Sequence, residues 1–193
     1  SVPPHLTANG SEVLSFDDTA IDTGMTKAEL DEIVSLGDTV TFDVKCRELL
    51  NNRVTGGALD DRSGMVSILY ALELLKDKKT AYNVTVIFSA QKELGERGAK
   101  IGAFEINPDI ALAVDVSFAY AHGEDEQKCG YLGKGAMIGI SPSLSREISD
   151  GLINTAKENN ILYQIEVMNG LTSTNADRYS VNREGAKACT VSI

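Results

Sequence analysis

The sequence predicts an α/β fold, in which a mixed and mostly parallel sheet is flanked by helices, with part of a small β domain before it. From Gly56 onward, strongly apolar runs alternate with stretches whose apolar residues recur at helical spacing. The runs at 84–88 and 110–116 are apolar almost throughout, as parallel strands buried on both faces are. Strands that alternate with helices predict a mostly parallel sheet with helices on both sides.

Residues 1–55 are expected to form part of a small β-rich domain, and 56–193 to form the α/β domain. In the first region, short apolar patches alternate with turn residues. Thr26 and Glu29 fit a capping box, in which each side chain bonds the backbone of the other residue. This pattern predicts one short helix that runs to Val34.

The remaining elements follow from the two periodicities of strands and helices. The predicted strands lie at 41–44, 84–88, 110–116, 137–141, 161–167 and 188–193. The predicted helices lie at 63–76, 97–105, 145–159 and 175–182. In such a sheet, ligands bind beyond the carboxyl ends of the strands.

Composition excludes several classes of function. The 193 residues carry a net charge of −10 and a pI of about 4.7. Nucleic-acid binding depends on Lys and Arg that neutralise phosphates, so this charge argues against it, and against binding to an anionic membrane surface. No apolar run approaches the roughly 20 residues of a membrane span. Three widely spaced cysteines without a C-x-x-C pair favour reduced thiols in a cytoplasmic protein.

Three carboxylates follow or precede core elements, at Asp60, Glu93 and Asp115. Asp60 and its neighbour Asp61 lie in a glycine-flanked turn before a predicted helix. Two acids in such a turn often cap a helix, because Asp accepts hydrogen bonds from free N–H groups of the first turn. The other interpretation is a cation site, because three converging carboxylates suit a divalent ion. Arg62 is either a partner of one carboxylate or a surface residue.

The order of several motifs resembles the glutamyl-aminopeptidase/TET metallopeptidase family. These motifs are G-x-A-x-D-D-R-x-G at 56–64, G-x-x-G-A at 95–99 and V-D-V at 114–116. The segments 3–5 (Pro-Pro-His) and 21–24 (Ile-Asp-Thr-Gly) resemble the dimerisation domain inserted in that family. The resemblance runs through the whole chain, and it depends on the order and spacing of the motifs together.

The resemblance implies a phosphorylase/hydrolase-like metallopeptidase core that holds two divalent metal ions, zinc or cobalt. Asp60 would bridge the two ions, while Glu93 and Asp115 would each bind one. Asp61 and Arg62 would contact these ligands without binding the metal ions themselves. Two such ions share a water, lower its pKa and clamp a peptide carbonyl. The implied activity is an aminopeptidase that hydrolyses the N-terminal residues of peptides.

Lys92 departs from the family at the position of the catalytic base. The family has two consecutive glutamates where this chain has Lys92-Glu93, and the first takes a proton from the metal-bound water. An ammonium group cannot accept that proton, and neighbouring acids raise its pKa further. Lys92 therefore either pairs with an acid on the surface or replaces a metal ion by neutralising the nearby carboxylates. We favour the second interpretation.

The family also takes one histidine to each metal ion, and this chain has only His5 and His122. His5 lies in the segment that resembles the dimerisation domain. His122 lies in an acidic loop, where a solvated surface residue is the favoured interpretation over a ligand. We expect the chain to be a fragment whose histidine ligands lie outside it. Asn175 is a third departure, because the family has aspartate there.

Two hypotheses follow from the sequence. The first is the core of a two-metal aminopeptidase that acts on peptides, although Lys92 predicts that this chain is inactive as written. The second is a non-catalytic homologue or fragment that serves assembly or binding. Under both hypotheses an incomplete β domain at 1–55 is expected to associate with another copy, because an unpaired sheet edge recruits further strands. Neither nucleic acid nor membrane is an expected partner.

Overall fold

The computed structural model describes residues 17, 19–183 and 185–193. The chain divides into two compact units, Ser1–Asp43 and Val44–Ile193. The segment Pro3-Pro4-His5 lies outside the described residues. The domain limits drawn from the sequence, at residues 55 and 56, stay a prediction.

In the first unit, helix α1 spans Lys27–Asp31 and confirms the predicted capping box. The backbone N–H of Thr26 donates to Oε2 of Glu29 at 2.8 Å, and the N–H of Glu29 donates to the Thr26 hydroxyl oxygen at 3.4 Å. The helix is shorter than predicted and has no buried residue, so packing does not extend it. The strand predicted at 41–44 is wrong, because this segment joins no β-ladder in the described structure.

The second unit begins with an exposed hairpin. Strand β1 (Arg47–Leu49) pairs antiparallel with β2 (Arg53–Thr55). The turn between them contains Asn51 and Asn52, with φ of 62° and 55°. Asn tolerates this left-handed conformation better than most residues do, so the turn residues match the backbone that the hairpin needs.

The four-stranded sheet of the second unit has the order β3-β6-β4-β5. Its strands are β3 (Ile110–Asp115), β4 (Ala136–Ile140), β5 (Tyr163–Val167) and β6 (Lys187–Ser192). Strand β3 pairs parallel with β6, β4 pairs parallel with β5, and β4 pairs antiparallel with β6. The prediction of a mixed, mostly parallel sheet is confirmed.

Four helices accompany this sheet: α2 (Leu59–Leu75), α3 (Arg97–Ile106), α4 (Arg146–Glu158) and α5 (Ala176–Ser180). The first three begin and end close to their predicted limits, and α5 is shorter than predicted. The strand predicted at 84–88 is wrong, because this segment joins no ladder in the described part of the chain. Its Ile87 nevertheless packs against the core.

Small side chains dominate the core between α3, α5 and β3. Ala103 of α3 and Ala176 of α5 are fully buried, as is Ala99. Tyr179 supplies the bulkiest buried ring of this cluster. Because alanines allow close approach of helix and sheet, the loop before α3 lies near the carboxyl end of β3. None of the helices in the described residues is long and apolar enough to span a membrane.

Candidate active site

The two adjacent acids at the start of α2 have different roles. Asp60 (φ −82°, ψ 108°) and Asp61 (φ −121°, ψ 43°) are both non-helical, and a cis peptide bond joins them. The carboxylate of Asp61 accepts a hydrogen bond from the N–H of Gly64 at 3.1 Å. Asp61 thus caps the regular part of the helix. Asp60 makes no such bond and faces the pocket.

Gly64 is required for this cap, because a Cβ there would lie 2.3 Å from Oδ1 of Asp61. Burial raises the pKa of Asp61 to about 6, and the negative charge of Asp115 adds to the shift, although the Gly64 hydrogen bond opposes it. Asp61 therefore stabilises the turn at the start of α2, while burial and the neighbouring acids disfavour its charged form.

Glu93 and Lys92 lie in a tight loop that closes on the start of α3. The N–H groups of Gly95 and Glu96 donate to the Lys92 carbonyl at 3.1 and 2.8 Å. The N–H of Gly98 donates to the Ala90 carbonyl at 3.0 Å, so the helix is bound to the start of the loop. A Cβ at Gly98 would lie 2.6 Å from the Ala90 nitrogen. Glycine at this position therefore allows α3 to approach the loop closely, and this approach determines the position of Lys92 and Glu93.

Asp115 ends strand β3 at the same edge of the molecule. Its side chain is 4% exposed, and its Oδ1 accepts a hydrogen bond from the N–H of Val116 at 2.9 Å. A carboxylate that is buried to this degree requires further partners, because burial without compensation is costly. The partner is Lys92, whose Nζ lies 3.1 Å from the same oxygen.

Lys92 contacts all three carboxylates that the sequence singled out. Besides Asp115, its Nζ lies 3.3 Å from Oε1 of Glu93 and 4.0 Å from Oδ1 of Asp60. The Lys92 side chain is 23% exposed, whereas that of Glu93 is 75% exposed. The ammonium group therefore lies among the three acids, as the favoured interpretation of Lys92 expects.

Two opposing effects set the charge of Lys92. Burial alone would lower its pKa, but hydrogen bonds and charge interactions with the three carboxylates raise it above its ordinary value. Lys92 is therefore a stable ammonium ion. Burial raises the pKa of Asp115, against the hydrogen bonds from Val116 and Lys92 that lower it. The Val116 N–H and the Lys92 ammonium group are thus the contacts that favour a charged Asp115.

A pocket is lined by these charged groups and by Asn175. The amide Nδ2 of Asn175 donates to the Ser89 hydroxyl at 3.0 Å, while its Oδ1 is buried and accepts no hydrogen bond from the described residues. Tyr179 also lines the pocket. Apolar walls come from Met65, Ile68, Ile87 and Leu112.

The contact between Asn175 and Ser89 was not predicted, because the two residues are far apart in sequence and no pattern links them. Arg62 lines the same pocket and is exposed, without an ion pair to a described carboxylate. His122 is exposed in its acidic loop and does not line the pocket. His5 lies outside the described residues.

Comparison with known proteins places the chain among peptidases. The sequence model that describes the M42 glutamyl aminopeptidase family matches residues 1–193 of this chain. A lysyl aminopeptidase of Pyrococcus furiosus is 27% identical over 197 residues, which cover 100% of this chain and 56% of that protein. The chain therefore spans about half the length of such relatives.

Solved structures agree with the predicted architecture. An aminopeptidase of Desulfurococcus kamchatkensis superposes with a TM-score of 0.86 and 34% identity, over 99% of this chain and 54% of that one. The TET1 peptidase of Pyrococcus horikoshii, described as assembling into a tetrahedron or an octahedral shell, gives a TM-score of 0.77 with 31% identity. That match covers 100% of this chain and 58% of the other. The α/β metallopeptidase fold predicted from the motifs is confirmed.

Proposed function

Because this chain belongs to the M42 glutamyl aminopeptidase family, we propose that it has the carboxylate-bearing core of a metal-dependent aminopeptidase, a class of enzyme that acts on the N-terminal residues of peptides. In this class of enzyme, two zinc or cobalt ions supply a bound water of lowered pKa and polarise the peptide carbonyl. The convergence of Asp60, Glu93 and Asp115 beyond the end of β3 supports the proposal, since these are the residues that match the ligand positions of the family.

The residues present do not fit two divalent ions as they stand. Sites for zinc and cobalt gain much of their selectivity from imidazole, whereas this group consists of three carboxylates and an ammonium. The Nζ of Lys92 lies where a cation between the carboxylates would lie, 3.1 Å from Asp115 and 3.3 Å from Glu93. Within the described ranges, no group of three or more His, Cys, Asp or Glu residues is arranged to hold a metal ion.

We therefore propose that Lys92 keeps this core from hydrolysing peptides. The observation that carries the proposal is the ammonium group of Lys92 within 4.0 Å of all three carboxylates. An ammonium with a raised pKa has no lone pair with which to take a proton from water. The same charge repels a divalent cation from these oxygens.

The test is Lys92→Glu in the full-length protein, assayed on aminoacyl-arylamides with added zinc or cobalt. The protein with Lys92 is expected to stay at background. The variant is expected to gain about 10²–10⁴-fold, the typical contribution of a positioned base. Lys128→Glu makes the same charge change at an exposed position, in a side chain that is 80% exposed, and is expected to gain nothing. Strong turnover by the unchanged protein would contradict the proposal.

The second candidate is a non-catalytic homologue that serves assembly or binding. Asn175 favours it, because a second position near the pocket has also lost the carboxylate of the family. Under this alternative, Lys92→Glu binds metal but remains inactive, and activity also requires Asn175→Asp. Measuring metal content and turnover on the same variants separates the two candidates.

A further inference from the structure

We propose that Lys92 is a built-in cation: its ammonium group compensates the charge of the three carboxylates around it, so that this part of the fold is stable without a divalent metal ion. The inference concerns the stability of the chain and goes beyond the proposed function. It holds whether or not the protein cleaves peptides.

The first step of the argument is the burial of Asp115. Its side chain is 4% exposed and has two polar contacts among the described residues, the N–H of Val116 and the Nζ of Lys92. Removal of one partner from a buried ion pair is strongly destabilising, because it leaves an uncompensated charge out of water. Lys92 is therefore the contact on which a buried carboxylate at this position depends.

The second step is the position of Lys92 between separate elements. Asp60 lies at the start of α2, Glu93 lies in the loop before α3, and Asp115 lies at the end of β3. Three like charges that meet at one place repel one another, and a cation between them offsets this repulsion. The ammonium of Lys92 meets this requirement from within the chain.

The third step is that hydrogen bonds hold Lys92 both at its backbone and at its side-chain ammonium group. Its carbonyl accepts hydrogen bonds from the N–H groups of Gly95 and Glu96 at 3.1 and 2.8 Å. Its Nζ donates to Asp115, and its side chain is 23% exposed. Little conformational freedom remains to be lost when the ion pairs form, so they stabilise more than exposed pairs such as Lys128 with Asp125.

The test compares melting temperatures of the full-length protein and its variants in a metal chelator, and then with Mg²⁺ or Zn²⁺ alone. The unchanged protein is expected to melt at the same temperature in all three conditions. Lys92→Met is expected to melt about 6–20 °C lower in the chelator. Added Mg²⁺ or Zn²⁺ is expected to recover most of that loss, because an ion that binds only the folded state stabilises it. Lys128→Met is the control and is expected to melt as the unchanged protein does.

Two further variants keep the test decisive if Lys92→Met does not fold in the chelator. Lys92→Arg retains the charge and is expected to fold without metal. Lys92→Met combined with Asp115→Asn removes the buried charge together with its partner, and is expected to be more stable than Lys92→Met alone. The proposal is overturned if the double variant is no more stable than Lys92→Met. It is also overturned if Lys92→Met melts with the control, or if metal raises the melting temperature of the unchanged protein as much as that of Lys92→Met.

Discussion

Replacement of Gly98 by alanine tests the close approach of α3 to the loop that carries Lys92. The added Cβ would lie 2.6 Å from the nitrogen and 2.7 Å from the carbonyl oxygen of Ala90. Both are backbone atoms, so neither can turn aside as a flexible side chain could. The helix and the loop must separate, and the hydrogen bond from the Gly98 N–H to the Ala90 carbonyl, 3.0 Å in the structure, lengthens or breaks.

The expected loss of stability at Gly98 is the balance of three contributions. Overpacking by a methyl group costs about 1–3 kcal/mol, and a lost hydrogen bond costs about 0.5–1.5 kcal/mol. Alanine recovers about 1 kcal/mol, because glycine is the poorer helix former. The net destabilisation is about 2 kcal/mol, which corresponds to a melting temperature about 4–8 °C lower in a chain of this size.

Gly151→Ala is the matched control. Gly151 lies in α4, is exposed, and a Cβ there would meet no atom within 4 Å. This variant is expected to gain about 0.5–1 kcal/mol from helix propensity alone. Urea unfolding of both variants gives the comparison. Equal stability of the Gly98 and Gly151 variants would refute the reasoning, since it would mean that α3 does not approach Ala90 as closely as the structure has it.

Two other predictions concern the surface of the chain. Light scattering is expected to find a dimer or a larger oligomer that is weakened by deletion of residues 1–55, and a stable monomer across the micromolar range would contradict self-association through that region. Alkylation by iodoacetamide, followed by mass spectrometry, is expected to modify exposed Cys46 first, Cys129 more slowly and Cys189 only on unfolding, since Cys189 is buried and burial raises the pKa of its thiol. Labelling of Cys189 as fast as Cys46 in the folded protein would contradict the burial of β6.

The four strands of the larger sheet were predictable from sequence, whereas the β1–β2 hairpin was not predicted. The apolar run beginning at Ile110 forms β3 because β6 pairs with it along its whole length. The run at 84–88 has the same apolar composition but joins no ladder in the described residues. Composition reports that a segment is suited to burial in a sheet, whereas the ladder also depends on a neighbouring strand.

The sequence predicted which residues lie together at the candidate site, but not which contacts each of them makes. Asp60, Glu93 and Asp115 were found because each follows or precedes a core element, and such positions converge in an α/β fold. The sequence could not decide between a helix cap and a cation site for the acidic pair. In the structure Asp61 caps the helix, and Oδ1 of Asp60 lies 4.0 Å from Nζ of Lys92. That difference depends on backbone angles within the turn, which composition does not report.

Long-range polar contacts were beyond sequence reasoning. The hydrogen bond between Asn175 and Ser89 joins residues 86 positions apart. The ion pair between Arg178 and Glu96, whose Nε and Oε2 are 2.6 Å apart, joins α5 to the loop before α3 and lacks ideal hydrogen-bond geometry. No sequence pattern links the two members of either pair, and each pair exists only because the fold brings two distant segments together.

The ammonium of Lys92 also has an evolutionary consequence. Lysine and glutamate codons differ by a single nucleotide, so mutation alone can readily restore the family's glutamate. Such a reversion would add a carboxylate beside Asp60, Glu93 and Asp115 and would remove the cation that lies among them. The revertant would be selected only in a cell that delivers metal to the newly made protein, since without metal the repulsion among these acids opposes folding. The chain that carries Lys92 has no such dependence on metal supply at this position.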